Sequence, residues 1–538
     1  MSKIYAVFLF ALLSSSAFML QSCGKGGGKA DAAGKTDVSN RVPASATTVF
    51  VLNVPQLFTK SNFEKLKGSD LYKRFLADAP AEAKDIFMNP ANTGLDMQSQ
   101  WIGFAELNPA NDAENFVGFI IPVADAAKWE ALAKKVEADT KNKPVDKGGF
   151  QLMQLERDAY LAWDKKIVAF VSGGTMSPAN EQRIARIFKP EGDNIQANAS
   201  FKKHFAENKD LLIWVSTDII LKKMMDSPEG GQLKMMASAF GITEAAFVGN
   251  SFAASHDFQN GKIESAITYQ FSEELRTKFG KLFNDKQTQD YSKYLPAQNL
   301  NMVMGTSLNL KELYNILASM RMTGRFDAQL ADMNLTSQDV LGALKGEGLI
   351  GLYSNTSKDE PDFVFVAGVN DKANVAKLMN ATTVLRLATV TGDRFEAQLG
   401  PNMKVFGYIG SDVFAFSNMP AAIDKIAAGG FGGEATTDPA VKTIANGWAG
   451  MAVVKYDIFK DMADIATGDY LHQNTTGKKV IDLITAEVTS VVAVAQSNKA
   501  TNNTIFKTTN KNALERWIEL AEEVYKLRSE NRETYRVQ

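Results

Sequence analysis

The chain has 538 residues, 45% hydrophobic and 22% charged, with a formal net charge of −2 and a single cysteine. A chain of this length can bury a core by packing alone, and one cysteine excludes both an intramolecular disulfide and a thiolate metal site. A sequence pI near 6.1 and the absence of a basic block exclude nucleic acid as a partner.

Residues 1–22 have the layout of an export signal. Lys3 supplies the charged start, and the apolar run IYAVFLFALLSSSAFML follows, too short for a comfortable bilayer crossing. Leu20-Gln21-Ser22-Cys23 then resembles a bacterial lipobox, with Leu three residues and a small residue one residue before the cysteine. Gln21 departs from the small residue usual in that slot. The expectation is cleavage before Cys23, whose thiol carries a diacylglycerol. Removal of Lys3 would then change the net charge from −2 to −3. One acyl chain holds a protein only marginally, whereas the two or three of a bacterial lipoprotein hold it firmly. No later stretch approaches about eighteen uninterrupted apolar residues, so the membrane is a partner only through the lipid on Cys23. Gly24, rather than an acid, follows the cysteine. By resemblance to other bacterial lipoproteins this implies the outer membrane, and the lack of acidic residues nearby implies its periplasmic face.

Residues 23–40 read as a flexible Gly/Lys tether. The tract only superficially resembles a phosphate loop: Lys29 is followed by Ala30 instead of Ser or Thr, and Cys23 stands where the first glycine belongs.

Beyond the tether the pattern repeats. Residues 42–58, VPASATTVFVLNVPQLF, recur at 295–314 as LPAQNLNMVMGTSLNLKELY. WIGFAEL from Trp101 answers LIGLYSN from Leu349, and NFVGFIIPVADAAKWEAL from Asn115 answers DFVFVAGVNDKANVAKLM from Asp362. Segments from Phe150, Pro178, Leu211 and Ser251 answer those from Phe395, Pro420, Gly450 and Ser490. The order is kept, while the offset drifts from 256 residues (Asn53 to Asn309) to 239 (Leu211 to Gly450). Collinear pairs with small loop deletions indicate two homologous halves, 41–288 and 289–538.

Each half reads as strand–helix, two strands, helix, three short strands, helix, strand–helix, two strands, helix. Short turns such as Asn260-Gly261 favour antiparallel pairing. Strands grouped in twos and threes favour an α+β fold with largely antiparallel sheet and packed helices. The last helix carries the stripe Leu514, Trp517, Ile518, Ala521, Val524 and Tyr525, matched by Leu275, Phe279 and Leu282. Matched polar residues fall where helices begin. Asn53 and Asn309 precede Gln56 and Glu312 at capping-box spacing, and Asp125/Asp371 and Asp218/Asp457 are expected as N-caps rather than catalytic acids.

The lipobox, the polar tether and the opening Val42-Pro43-Ala44-x-Ala46-x-x-Val49-Phe50-Val51-Leu52-Asn53 resemble a family of uncharacterised Bacteroidota lipoproteins, a domain of unknown function. The resemblance implies an envelope location and no particular activity.

Motifs that carry chemistry are sparse. His204, His256 and His472 stand alone, read as surface residues, and the two halves share no histidine position. Ser200-Phe201-Lys202-Lys203 fits S-x-x-K without its companion motifs, and Gly429-Gly430-Phe431-Gly432-Gly433 reads as a loop after a helix. Met224, Met225, Met235 and Met236 flank a Gly-Gly turn and read as core filling of two helices, with an adaptable apolar surface as the alternative. The expectation is therefore no metal, no cofactor and no catalytic residue. The chain reads as a lipid-anchored binding or structural module with an envelope protein or small molecule as partner. An envelope hydrolase built on dispersed carboxylates and a carrier of an apolar ligand are the alternatives.

Overall fold

A computed structural model describes residues 36–78, 88–108, 111–173, 176–190, 192–227, 230–239, 241–319, 321–354, 361–384, 387–398, 403–455 and 475–534. Cys23, the signal and most of the tether lie outside them, as do Asp457 and His472. The chain divides into two compact units. Unit 1 takes the described residues up to Met236, then Phe247–Ser272 and Thr508 onward; unit 2 takes Ala237–Ala246 and Glu273–Lys507.

Unit 1 is built on ten strands: β1 Thr48–Leu52, β2 Trp101–Glu106, β3 Phe116–Pro122, β4 Val145–Asp146, β5 Gln151–Glu156, β6 Ala159–Trp163, β7 Ile167–Ser172, β8 Leu211–Ser216, β9 Ser251–Gln259 and β10 Lys262–Gln270. They pair antiparallel in the order β4-β5-β6-β7-β3-β2-β1-β8-β9-β10. Short turns make this pairing the direct outcome of the sequence; Gln259 lies opposite Lys262, leaving Asn260-Gly261 as the turn, with Gly261 at φ +69.

Helices cover both sheet faces. On one, Ile184 and Ile187 of helix Pro178–Phe188 and Phe201 of helix Ala199–Phe205 pack with Val49, Val51, Ile102, Phe104 and Trp214. On the other, Trp129 and Ala133 of helix Ala126–Thr140 pack with Phe119, Ile121, Met153, Leu161 and Trp163. Double coverage explains why β6, AYLAW, is buried at every position instead of alternating.

Unit 2 has β11 Leu300–Ser307, β12 Leu344–Tyr353, β13 Asp362–Val369, β14 Ala388–Thr391, β15 Arg394–Gln398, β16 Lys404–Ile409, β17 Val413–Ser417, β18 Ala449–Val453, β19 Val488–Ala495 and β20 Lys499–Phe506. Their order, again antiparallel, is β14-β15-β16-β17-β13-β12-β11-β18-β19-β20, strand for strand that of unit 1. Ile423 and Ile426 of helix Pro420–Ala427 and Val441 and Ile444 of helix Pro439–Ile444 pack on one face, and Val375 and Met379 of helix Lys372–Val384 on the other. The α+β reading, with antiparallel sheet and packed helices, describes both units.

The helix starts divide the matched polar residues. Asp125 accepts hydrogen bonds from the Ala127 and Lys128 amides, Asp371 from those of Ala373 and Asn374, and Asn309 from that of Glu312. Asn53 does not cap. It is fully buried, and its Nδ2 donates to Asn208 Oδ1 at 2.9 Å, so the expected capping box is absent. Asp218 sits one step inside its helix. Ser216 is the cap, accepting from the Ile219 amide, while Asp218 Oδ2 accepts from the Gly249 amide. The helix Ala513–Thr534 belongs to unit 1, where Lys65 pairs with its Glu515, so the unit boundaries differ from a division at 288/289.

Candidate functional site

In unit 2, the helices Leu310–Ser319 and Ser337–Ala343 and the start of β12 line a half-open cavity of about 570 Å³. Its position follows from a local irregularity. Ser307 of β11 lies opposite Glu347, but against β13 the register of β12 shifts between Leu344 and Gly348. Extra residues on one strand of a pair bend it and re-aim side chains. Gly346 makes the bend: its φ is +82, its carbonyl accepts from the Leu308 amide at 2.9 Å, and a Cβ there would lie 2.1 Å from the Leu308 oxygen.

The bend places Glu347, 3% exposed, on the cavity wall. A buried carboxylate needs donors. Glu347 Oε2 accepts from the Thr288 amide at 2.8 Å, Thr288 Oγ1 at 2.7 Å and Tyr291 Oη at 3.4 Å. Oε1 accepts no hydrogen bond among the described residues. Burial first, and then the adjacent Glu347 charge, pushes the Tyr291 hydroxyl well above its ordinary pKa, so it stays a donor. Behind the carboxylate, Gln287 Nε2 donates to the Thr306 and Gly348 carbonyls, and its Oε1 is buried without a hydrogen bond.

The remaining wall is mixed, with two lysines and several amides set among leucines. Lys311 and Lys345 line it, and neither forms an ion pair among the described residues. Asn309, Asn315, Gln338 and Asn370 contribute amides, Tyr314 a phenol, and Leu341 and Leu344 an apolar strip. Glu347 is the one acid among the described lining residues. The site can therefore hold an anion beside the lysines and receive donors at the carboxylate.

Sequence reading singled out only Asn309 of this set, and as a cap. The available signal was Gly346-Glu347-Gly348, an acid between glycines entering an otherwise apolar strand. The other singled-out residues lie elsewhere. His204 and His256 are buried, 7% and 8% exposed, rather than at the surface. Helix packing buries the His204 ring, whose Nδ1 lies 3.0 Å from Glu207 Oε1, and the β9–β10 hairpin covers His256 beside Ser265. No group of three or more His, Cys, Asp or Glu among the described residues is placed to hold a metal. Ser200 is buried and shares its hydroxyl with Ser251 Oγ and the Trp214 indole N–H, while Lys203 points to solvent. Met225 fills core, but Met224 and Met235 are 40% and 68% exposed. The Gly429–Gly433 segment follows helix Pro420–Ala427, but only its first residues are loop; Gly432 and Gly433 open a 3-10 turn, Gly432–Glu434.

A second polar cluster, in unit 1, joins two lysines and two aspartates. Lys60 Nζ lies 2.7 Å from both Asp210 Oδ2 and Asp257 Oδ1, and Lys209 Nζ lies 3.1 Å from Asp257 Oδ2. Burial pushes the Asp210 carboxyl up to about 6 despite Lys60 and the Phe258 amide. Burial acts on Asp257 too, but Lys60 and Lys209 hold it below the ordinary carboxylate range. The opposite charges pair, although Asp210 Oδ1 is buried without a hydrogen bond, and the cluster fastens helix Val54–Lys60 to β8 and β9.

A family model described as a domain of unknown function, DUF4836, matches residues 38–408, a span that contains every residue lining the unit 2 cavity. No curated protein matches the chain. Two solved structures of TP0453 align at low similarity. Crystal form I is 8% identical, covering 45% of this chain and 80% of that one at a TM-score of 0.26. Crystal form IV is 8% identical, covering 46% and 86% at 0.28. Similarity at that level carries nothing about function.

Proposed function

For this chain, a member of the DUF4836 family, we propose the role of a binding module of the bacterial cell envelope, held to the outer membrane through lipid on Cys23 and facing the periplasm. The observation that carries the binding role is the unit 2 cavity, with a buried carboxylate on its wall and two lysines that form no ion pair among the described residues. Hydrolysis of a glycosidic bond usually takes two carboxylates across the scissile bond, and the described wall presents one. A carrier of an apolar ligand would line its cavity almost wholly with aliphatic and aromatic groups, whereas this wall sets four amides, two lysines and a carboxylate among Leu310, Leu341, Leu344 and Tyr314. Binding fits this wall better than either.

The anchor rests on Leu20-Gln21-Ser22-Cys23. No helix among the described residues is long and apolar enough to cross a membrane. Cys23→Ala is expected to move the protein from the detergent-extracted membrane fraction to the soluble periplasmic fraction. A variant that still sediments with membranes would refute the anchor. We also read the two units as products of one tandem duplication, which their shared strand order and the collinear sequence pairs support. Different strand orders in an experimental structure of the chain would end that reading.

A further inference from the structure

The chemistry of the unit 2 cavity narrows its ligand, and the narrowing rests on the binding role proposed above. We propose that the cavity takes a small acidic carbohydrate, a sugar bearing a carboxylate or phosphate group.

Charge comes first. Lys311 and Lys345 bring two positive charges and Glu347 one negative charge, so the described wall carries a net of +1 (2 − 1). Ammonium groups without ion pairs favour an anion, and a ligand with net negative charge complements this wall better than a zwitterion. Lys345 is also held in place. A Cβ at Gly368 would lie 3.0 Å from its Cδ and 2.1 Å from Tyr291 Oη, so the glycine leaves room for the lysine stem beside the tyrosine.

Hydrogen-bonding capacity comes second. Each amide offers donors and an acceptor, the combination that matches a hydroxyl, which both gives and receives. Of the four amides, Asn309 Oδ1 accepts from the Glu312 amide, and Asn315 and Asn370 each donate once, to Glu312 Oε2 and the Gly342 carbonyl, while the Gln338 side chain makes no hydrogen bond among the described residues. Glu347, 3% exposed and with Oε1 free of hydrogen bonds among the described residues, accepts only, which suits a donor such as a sugar hydroxyl. Oε1 opens on the cavity, where a ligand hydroxyl can replace water as its donor. Tyr314 and Leu341 give the apolar contact that a sugar ring's C–H face needs. The volume, about 570 Å³, lies within the range of small-molecule sites.

The experiment is calorimetric titration of the full-length protein in detergent with four probes: galacturonate, glucose 6-phosphate, glucose and glutamate. Galacturonate or glucose 6-phosphate is expected to bind at one site per chain, with glucose at least roughly tenfold weaker. Binding of one acid sugar without the other identifies the anionic group. Lys345→Met and Lys311→Met should each weaken acid-sugar binding by roughly tenfold or more while leaving the melting temperature unchanged. Glucose binding as tightly as the acids, or lysine variants without effect, would overturn the proposal. Glutamate bound in preference to the sugars would overturn the carbohydrate assignment and leave the binding role standing. Absence of heat with all four probes also overturns the assignment. The binding role falls with it only if low-molecular-weight envelope extract fails to stabilise the protein.

Discussion

Lys60→Met is expected to lower stability by about 3–5 kcal/mol at neutral pH, because it leaves Asp210 and Asp257 buried without their shared counter-charge. The pH dependence has a definite sign. The folded Asp210 pKa, about 6, lies above the ordinary carboxylate value, so the folded state binds more protons between about pH 4 and pH 6. Its unfavourable contribution is therefore absent below that window and complete above it. Removing Lys60 raises the folded value further and enlarges the penalty. Urea denaturation at pH 7.5 and pH 5 should show the deficit of Lys60→Met shrinking at the lower pH. Asp257, held down by Lys209 as well, loses its favourable pairing as pH falls, which limits how much is recovered. A deficit of the same size at both pH values would show that Asp210 is not the group responsible.

The second large effect is expected at Trp214, which is fully buried on β8. Its ring meets Phe201 edge-on, 5.9 Å between centroids, and its indole N–H donates to Ser200 Oγ at 3.2 Å. Trp214→Ala should cost about 3–5 kcal/mol through the cavity it opens and the hydroxyl pair it leaves behind. Trp214→Phe keeps part of the volume and loses the hydrogen bond, so its cost should be clearly smaller. Equal losses for the two substitutions, measured as denaturation midpoints at constant slope, would contradict this account of the core.

Legibility followed the range of the interactions. Caps formed within a single turn, at Asp125, Asp371 and Asn309, were readable because the donor amides lie two or three residues away. Asn53 has the same spacing to its helix as Asn309, yet its partner Asn208 is 155 residues distant. No local pattern reports that choice. Alternating strands and short turns made the α+β class readable, since antiparallel neighbours joined by turns are neighbours in sequence. The C-terminal helix shows the opposite limit: its apolar stripe says that it packs, but not on which unit. His204 and His256 show the same limit, because a lone polar residue carries no local sign of the layer that will cover it. The cavity was the least legible feature. Thr288, Lys311, Gln338, Glu347 and Asn370 converge from five separate segments, and the bend that joins them depends on registers with two neighbouring strands.

Binding at the unit 2 cavity is most directly tested by the melting temperature of the purified protein with and without a low-molecular-weight extract of the envelope. Two variants serve as controls: Leu341→Trp, which fills the cavity, and Lys345→Met, which removes one charge from its wall. The account predicts a rise for the wild type that is lost in Leu341→Trp and reduced in Lys345→Met. A rise of equal size in all three proteins, or none in the wild type, would contradict it.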